Sequence, residues 1–214
     1  MELSRTKPLL RGVSHQIAVV FAIAGCVVML GRAPSARATA VALVYGLSLV
    51  ALFGISALYH RPTWSPQAML WLRRLDHSSI FVFIAGSYTA MCALITGTTG
   101  TVLRTLVWVA AFGGILRAVV WPRAPRWLAS SLYVLFGWTL VPLLWVLWPT
   151  LGSAGVALVC GGGLFYTAGA IVWALRWPDP APRVFGFHEV FHLLVIGGSA
   201  LHFAVVVRIV ASLA

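Results

Sequence analysis

Apolar residues fill most of this chain in seven long runs, separated by short stretches that contain charged residues, proline or glycine. Runs of this kind predict helices, and about 20 apolar residues suffice for a helix to cross a bilayer. The predicted segments are Val13–Leu30, Ala38–Tyr59, Ser79–Ile95, Val102–Trp121, Leu128–Trp148, Ala154–Leu175 and Phe187–Ala211. Pro142 lies inside the fifth segment and predicts a kink there.

The composition supports a membrane protein. Of 214 residues, 61% are hydrophobic and 9% are charged, and the mean hydropathy is +0.96. A soluble domain has about 25% charged residues, so this chain has too little polar surface to be a soluble globule. The sequence therefore predicts one all-α, integral-membrane domain over residues 1–214. A cleaved signal peptide is an alternative for the first run, because Lys7 and Arg11 precede it and Ala36-Arg37-Ala38 resembles a cleavage site.

The basic residues indicate how the bundle is oriented. Eleven of the 15, including Arg5, lie in the N-terminal tail and in alternate loops, and four lie on the other side: Arg32, Arg37, Arg104 and Arg208. The positive-inside rule then predicts a seven-transmembrane bundle with a cytoplasmic N-terminus and an outside C-terminus. We expect it to be a multi-pass protein of the plasma membrane. The net charge of +11 comes from single residues between apolar runs, which predicts contact with the lipid bilayer and no nucleic-acid partner.

Several ionisable residues lie at the ends of the predicted spans, where they are costly and therefore indicate function. His60 ends the second span, Asp76 precedes the third, and His188 and His192 lie at the start of the seventh. In the predicted orientation all of these ends face the cytoplasm. The sequence thus predicts that three distant segments bring their histidines and an aspartate to one membrane depth.

This set of residues has the chemistry of a metal centre. His188 and His192 are spaced i, i+4, which turns both imidazoles to one face of a helix, and His60 is the natural third ligand. Three imidazoles suit Zn²⁺ with an open fourth position for water. Asp76 can hydrogen-bond that water and take its proton, and Ser56 lies one turn before His60 on the same helical face. The predicted metal ligands are His60, His188 and His192, and the predicted catalytic residues are Asp76 and Ser56.

Other interpretations of these residues remain open at this point. Asp76 can be the N-cap of the third span, since it precedes an apolar run. His188-Glu189-Val190-Phe191-His192 also matches HExxH, in which Glu189 would be the general base of an intramembrane metalloprotease. His77 and His15 fit interfacial or supporting positions, and His202 fits a packing position.

Three segments resemble the hemolysin III family, the bacterial branch of the progestin and adipoQ receptor superfamily, which is also similar to alkaline ceramidases. They are Ser56–His60, Arg74–Thr89 and His188–His192. The resemblance covers essentially the whole chain and implies that the plasma membrane in question is a bacterial inner membrane. It implies a seven-helix bundle with a cytoplasmic N-terminus and a zinc ion in the inner leaflet. It also implies His60, His188 and His192 as ligands, with Asp76 and Ser56 around the water. Some superfamily members carry an acidic residue near the first span, and Arg11–His15 lacks it.

The function expected from these observations is zinc-dependent hydrolysis of an amide or ester bond in a membrane lipid, which would enter between helices. One alternative is a non-enzymatic membrane sensor or receptor-like protein whose zinc is structural. Another is a pore-forming hemolysin, active in cytolysis. The nearly wholly apolar fifth and sixth spans argue against that alternative, because a pore needs a polar lining.

Overall fold

The computed structural model describes residues 7–213, so Arg5 lies outside the described residues. Those residues form helices and connecting loops, with one isolated β-bridge between Ala181 and Phe185. The helices are α1 (Val13–Gly31), α2 (Ala36–His60), α3 (Pro66–Cys92), α4 (Gly97–Val120), α5 (Arg126–Trp138), α6 (Val141–Leu175) and α7 (Phe187–Ser212). The all-α prediction is confirmed.

Five of these helices, namely α1, α2, α4, α6 and α7, are long and apolar enough to cross a membrane. The other two differ for separate reasons. α3 has 27 residues, but its first half carries Arg73, Arg74 and Asp76, whereas α5 has only 13 residues. The chain is therefore a multi-pass membrane protein with several spanning helices.

Consecutive helices pack side by side from α1 to α4 and again from α5 to α7, while α5 contacts α3 and α7 also contacts α1, α2 and α3. One end of the bundle, where α1 begins, α2 ends and α7 begins, is here called the histidine end. At the opposite end, Ser35 donates a hydrogen bond to the Leu213 carbonyl, and Arg37 donates to the Ala93 carbonyl. These contacts join the start of α2 to the ends of α7 and α3.

The third helix begins thirteen residues earlier than predicted. Ser65 caps it by accepting a hydrogen bond from the Ala68 amide at 3.3 Å, and Pro66 occupies the first helical position. Asp76 therefore lies well inside α3, and its interpretation as an N-cap is wrong. A search for apolar runs overlooks this first half because its charged side chains interrupt the pattern.

The predicted fifth span is not one continuous helix. α5 ends at Trp138 and α6 begins at Val141, directly before Pro142. Proline has no amide hydrogen, and its ring would collide with the carbonyl four residues earlier, here that of Trp138. The Tyr88 hydroxyl lies 3.0 Å from each of the Phe136 and Gly137 carbonyl oxygens, so it supplies a donor at this break.

The predicted sixth span is the second part of α6. Gly152, with φ 63° and ψ 179°, interrupts α6 between this part and the stretch that follows α5. That backbone conformation is essentially open only to glycine. The predicted kink at Pro142 is confirmed as the gap between α5 and α6, and Gly152 lies in the predicted gap between the fifth and sixth segments.

Helices α2 and α3 approach closely at Gly86, and this contact leads to a stability prediction. A Cβ at Gly86 would lie 2.3 Å from Ser48 Oγ, so Gly86→Ala must push the helices apart or displace Ser48. Overpacking of this kind costs about 1–3 kcal/mol. We expect a lower thermal unfolding midpoint in detergent. Gly113→Ala is the matched control, since its Cβ meets nothing within 4 Å. Equal midpoints for the two variants would contradict this packing.

Candidate metal centre

Three histidines from two distant parts of the chain meet at the histidine end. His60 is the last residue of α2, and His188 and His192 lie one turn apart at the start of α7. Their candidate ligand atoms all lie within 4.8 Å of one another, and the Nε2 atoms of His60 and His188 are 3.1 Å apart. The predicted convergence of these side chains is confirmed, and the cluster could hold a metal ion.

The donor set fits a tetrahedral transition metal. Imidazole nitrogens are preferred ligands of zinc and of its neighbours in the periodic table. Ligand atoms 2.0–2.1 Å from a tetrahedral zinc lie about 3.3 Å apart, close to the separation of His60 and His188. His192 is 1% exposed, and its Nδ1 has no hydrogen-bond partner within residues 7–213. A buried imidazole left unsatisfied by the protein is consistent with a metal-binding cluster.

His15, near the start of α1, packs against this cluster. Its ring stacks on that of His192, with 3.8 Å between centroids and 11° between planes, and lies 5.0 Å from the ring of Phe53. His15 is 3% exposed and is not among the three converging histidines. The sequence suggested a supporting position for it, and the stacking contact shows that it restricts the orientation of the His192 ring.

Glu189 has a structural role that the HExxH interpretation does not anticipate. Its Oε1 accepts a hydrogen bond from Arg11 Nε at 2.5 Å, in a largely buried ion pair, and its Oε2 accepts from the Gly186 amide at 2.8 Å. Both carboxylate oxygens are therefore engaged in fastening the start of α7. Because Glu189 is 1% exposed and does not line the adjacent cavity, the geometry does not support it as a general base.

Gly12 allows the N-terminal segment to pass close to His60. Its φ of 78° lies in the left-handed region, and a Cβ there would be 2.7 Å from the Cβ of His60. Beside it, the amides of Leu9 and Leu10 donate to the carbonyls of Arg183 and Val184 in the loop before α7. Residues 7–12 thus contact the end of α2 and the loop before α7, next to the histidines.

The histidines open into a cavity of about 410 Å³ within the bundle. Asp76 and Ser56 line the same cavity. Ser56 is 3% exposed and lies one turn before His60 on α2. The structure therefore brings all five residues singled out from the sequence to the wall of a single cavity.

Away from these polar groups the cavity wall becomes largely apolar. Along α3 it is lined by residues that recur every three or four positions, including Ile80, Phe83, Ile84 and Met91. At 1.5 Å per residue, the distance from Asp76 to Met91 along the helix is about 22 Å. A long apolar cavity with a few convergent polar groups is typical of a small-molecule site.

Two other histidines also line this cavity and contact neighbouring helices. The Nδ1 of His77 lies 3.0 Å from the Tyr133 hydroxyl, which links α3 to α5. His202 Nε2 donates to the Val159 carbonyl at 3.1 Å, so His202 joins α7 to α6, as the packing interpretation predicted. Neither belongs to the metal-binding cluster.

The fold and the site together define a multi-pass helical membrane protein in which a candidate three-histidine metal centre adjoins an apolar cavity. The chain belongs to the haemolysin-III related family, whose sequence profile matches residues 3–203. The resemblance to the hemolysin III family is therefore confirmed.

Relatives of this chain occur in bacteria and in mammals. It is 30% identical over 195 residues to Hemolysin-3 of Bacillus cereus, covering 89% of this chain and 86% of that protein. It is 31% identical over 161 residues to the Hemolysin-3 homolog of Bacillus subtilis (strain 168), covering 75% and 72% respectively. It is 24% identical over 195 residues to the human monocyte to macrophage differentiation factor, covering 89% and 79%.

Proposed function

We propose that this protein is a zinc-dependent hydrolase that cleaves an amide or ester bond of a membrane lipid. The observation that carries the proposal is the clustering of three histidines with Asp76 and Ser56 at the polar end of a long apolar cavity. A lipid fits this layout because its acyl chain matches the apolar wall and its carbonyl can reach the polar end. Lateral entry between helices requires no soluble substrate domain.

In this mechanism His60, His188 and His192 hold the zinc ion, which when bound supplies a Lewis acid for the carbonyl and acidifies water. Asp76 accepts the proton of the attacking water and returns it to the departing amine or alcohol. The Ser56 hydroxyl donates a hydrogen bond to the oxygen on which negative charge develops, or positions the water. The apolar wall around the acyl chain keeps bulk water away from the reacting bond.

The same proposal includes seven membrane crossings with the histidine end in the cytoplasm. Five helices have the required length and hydropathy, and α3 together with α5 and the start of α6 would supply the other two crossings. The opposite end carries Arg32, Arg37, Arg104 and Arg208, whereas the other described basic residues belong to the histidine end. Positive-inside bias then favours a cytoplasmic N-terminus and an outside C-terminus.

Purified protein in detergent provides the direct test. We expect it to release free fatty acid, measured by mass spectrometry, from at least one member of a panel of ceramides and phospholipids. The release should stop after treatment with a chelator and return when zinc is added back. Absence of release from every lipid, by protein that contains its metal, would contradict the proposed hydrolysis.

A second candidate is a non-enzymatic membrane protein in which the metal is structural. It is favoured by the position of the histidines, because one ion would tie the end of α2 to the start of α7. In that case a chelator lowers the unfolding midpoint and no lipid is turned over.

The name Hemolysin-3 of the Bacillus relatives refers to lysis, and planar-bilayer conductance of purified protein would test that activity.

A further inference from the structure

Four basic side chains line the cavity near the histidines. They are Lys7 and Arg11 from the segment before α1, Arg73 from α3 and Arg126 from the start of α5, and together they are here called the basic mouth. The only acidic residue in the described cavity wall is Asp76. The wall therefore carries a clear excess of positive charge beside the candidate metal centre, before any metal ion is counted.

Most of this charge has no acidic partner. Within residues 7–213 the one ion pair joins Arg11 to Glu189. Lys7 donates to the Arg61 carbonyl at 2.7 Å, and Arg126 lies 5.3 Å from the centre of the Trp173 ring. Backbone carbonyls and aromatic rings orient these groups but do not neutralise them. Lys7 is exposed, but Arg73 and Arg126 are partly buried. A partly buried cation without a bonded counter-charge is costly, so an anionic ligand would stabilise it.

The pKa of Lys7 is consistent with this positive environment. Burial lowers its pKa from the ordinary 10.5, and the nearby positive charges of Arg61 and Arg11 lower it further. An anion bound at the basic mouth would raise the pKa of Lys7. The loops at the same end also carry Arg123 and Arg183, which are exposed and do not line the cavity. Orientation in the membrane accounts for such loop residues, but it does not require cations in a cavity wall.

We propose that the lipid taken up by this cavity carries an anionic headgroup, of the phosphate class, which the basic mouth binds while the acyl chain occupies the apolar wall. The inference rests on the proposed function for the location of the lipid and its reacting bond. To that function the inference adds that the lipid substrate is negatively charged. Arginine matches phosphate well because its guanidinium can donate two parallel hydrogen bonds.

Equilibrium binding to the full chain in detergent tests this substrate charge, with Asp76→Asn as the background so that turnover does not interfere. The probes are oleoyl lysophosphatidic acid and oleoyl monoacylglycerol, which share an acyl chain and differ in the phosphate. We expect the phosphate lipid to bind at least about 10-fold more tightly. Arg73→Gln combined with Arg126→Gln should remove most of this preference, and the exposed pair Arg123→Gln with Arg183→Gln should retain it.

Equal affinity for the two lipids, or an equal loss of preference in both double variants, would overturn the proposal. Inorganic phosphate is the third probe. Weak competition by inorganic phosphate supports binding of a lipid headgroup. If inorganic phosphate competes as strongly as the phosphate lipid does, the site binds a free anion and the proposal is overturned. Because the readout is binding, a preference without hydrolysis of any lipid would reject only the proposed function. Hydrolysis without a preference would reject only this inference.

Discussion

Replacing Asp76 by Asn should abolish fatty-acid release while the protein keeps its metal. Asp76 is the only described carboxylate in the cavity wall, which it shares with Ser56. Asparagine has nearly the same shape but cannot accept the proton, and loss of a general base typically lowers the rate by about 10²–10⁴-fold. We expect this loss to appear in kcat. The metal content, measured by elemental analysis, and the unfolding midpoint should both stay close to those of the wild type.

Asp179 offers a matched control for the same chemical change. Its Oδ1 accepts a hydrogen bond from the Phe187 amide at 2.9 Å, and it does not line the cavity. Asparagine can keep that bond through its own oxygen, so Asp179→Asn should retain activity. Asp76→Asn protein with wild-type turnover would reject Asp76 as the proton acceptor. Loss of metal from the same variant would instead assign Asp76 to metal binding.

Replacing His192 by Gln should remove the metal ion and the stability that depends on it. Glutamine is a poor ligand for zinc compared with imidazole, and His192 is buried between His15 and the other two histidines. We expect wild-type protein to contain about one metal ion per chain and the variant to contain little. A ligand present at 100 times its Kd stabilises a protein by about 2.7 kcal/mol, so a chelator should lower the unfolding midpoint of the wild type only.

His202→Gln is the control on the same helix. His202 is a buried histidine of α7 that bonds to the Val159 carbonyl and lies outside the three-histidine cluster. This variant can lose some stability through that bond, but it should keep its metal and its response to the chelator. A full metal complement in the His192→Gln protein would contradict the assignment of His192 as a ligand.

The composition of the candidate site could be predicted from the sequence because its signals are local. The i, i+4 spacing of His188 and His192 is a helical pattern, and His60 and Asp76 stand out as ionisable residues near apolar runs. The positive-inside rule then assigned these distant ends to one side of the membrane. That rule follows from insertion of each span, so it predicts which helix ends share a membrane surface without knowledge of packing.

The sequence was less informative about the helices that carry polar residues or prolines. α3 begins at Pro66 rather than at Ser79, and the predicted fifth span is divided between α5 and α6. In both places hydropathy is a poor guide, because whether a charged or proline-containing stretch stays helical depends on its neighbours. Tyr88, which donates at the break after α5, could be recognised only after its helix was packed against α5.

The basic mouth and the role of Glu189 also required the folded chain. Arg11 and Glu189 are separated by most of the sequence, and their ion pair explains why the glutamate of an HExxH pattern is unavailable as a base. Lys7, Arg73 and Arg126 each resemble ordinary loop or helix-end cations until one cavity brings them together. Their shared position depends on how the helices pack, and residue spacing within one segment does not reveal it.

By itself the sequence determined that this is a helical membrane protein with histidines at the ends of distant segments, because hydrophobicity and charge act on each segment separately. Tertiary structure decided which histidine nitrogens meet and which four cations form the basic mouth. It also decided that Asp76 lines the cavity whereas Glu189 is bonded at the start of α7. Those outcomes depend on how whole helices pack against one another. If one of these helices shifted along its axis by one turn, about 5.4 Å, the histidines would be too far apart to bind the same ion.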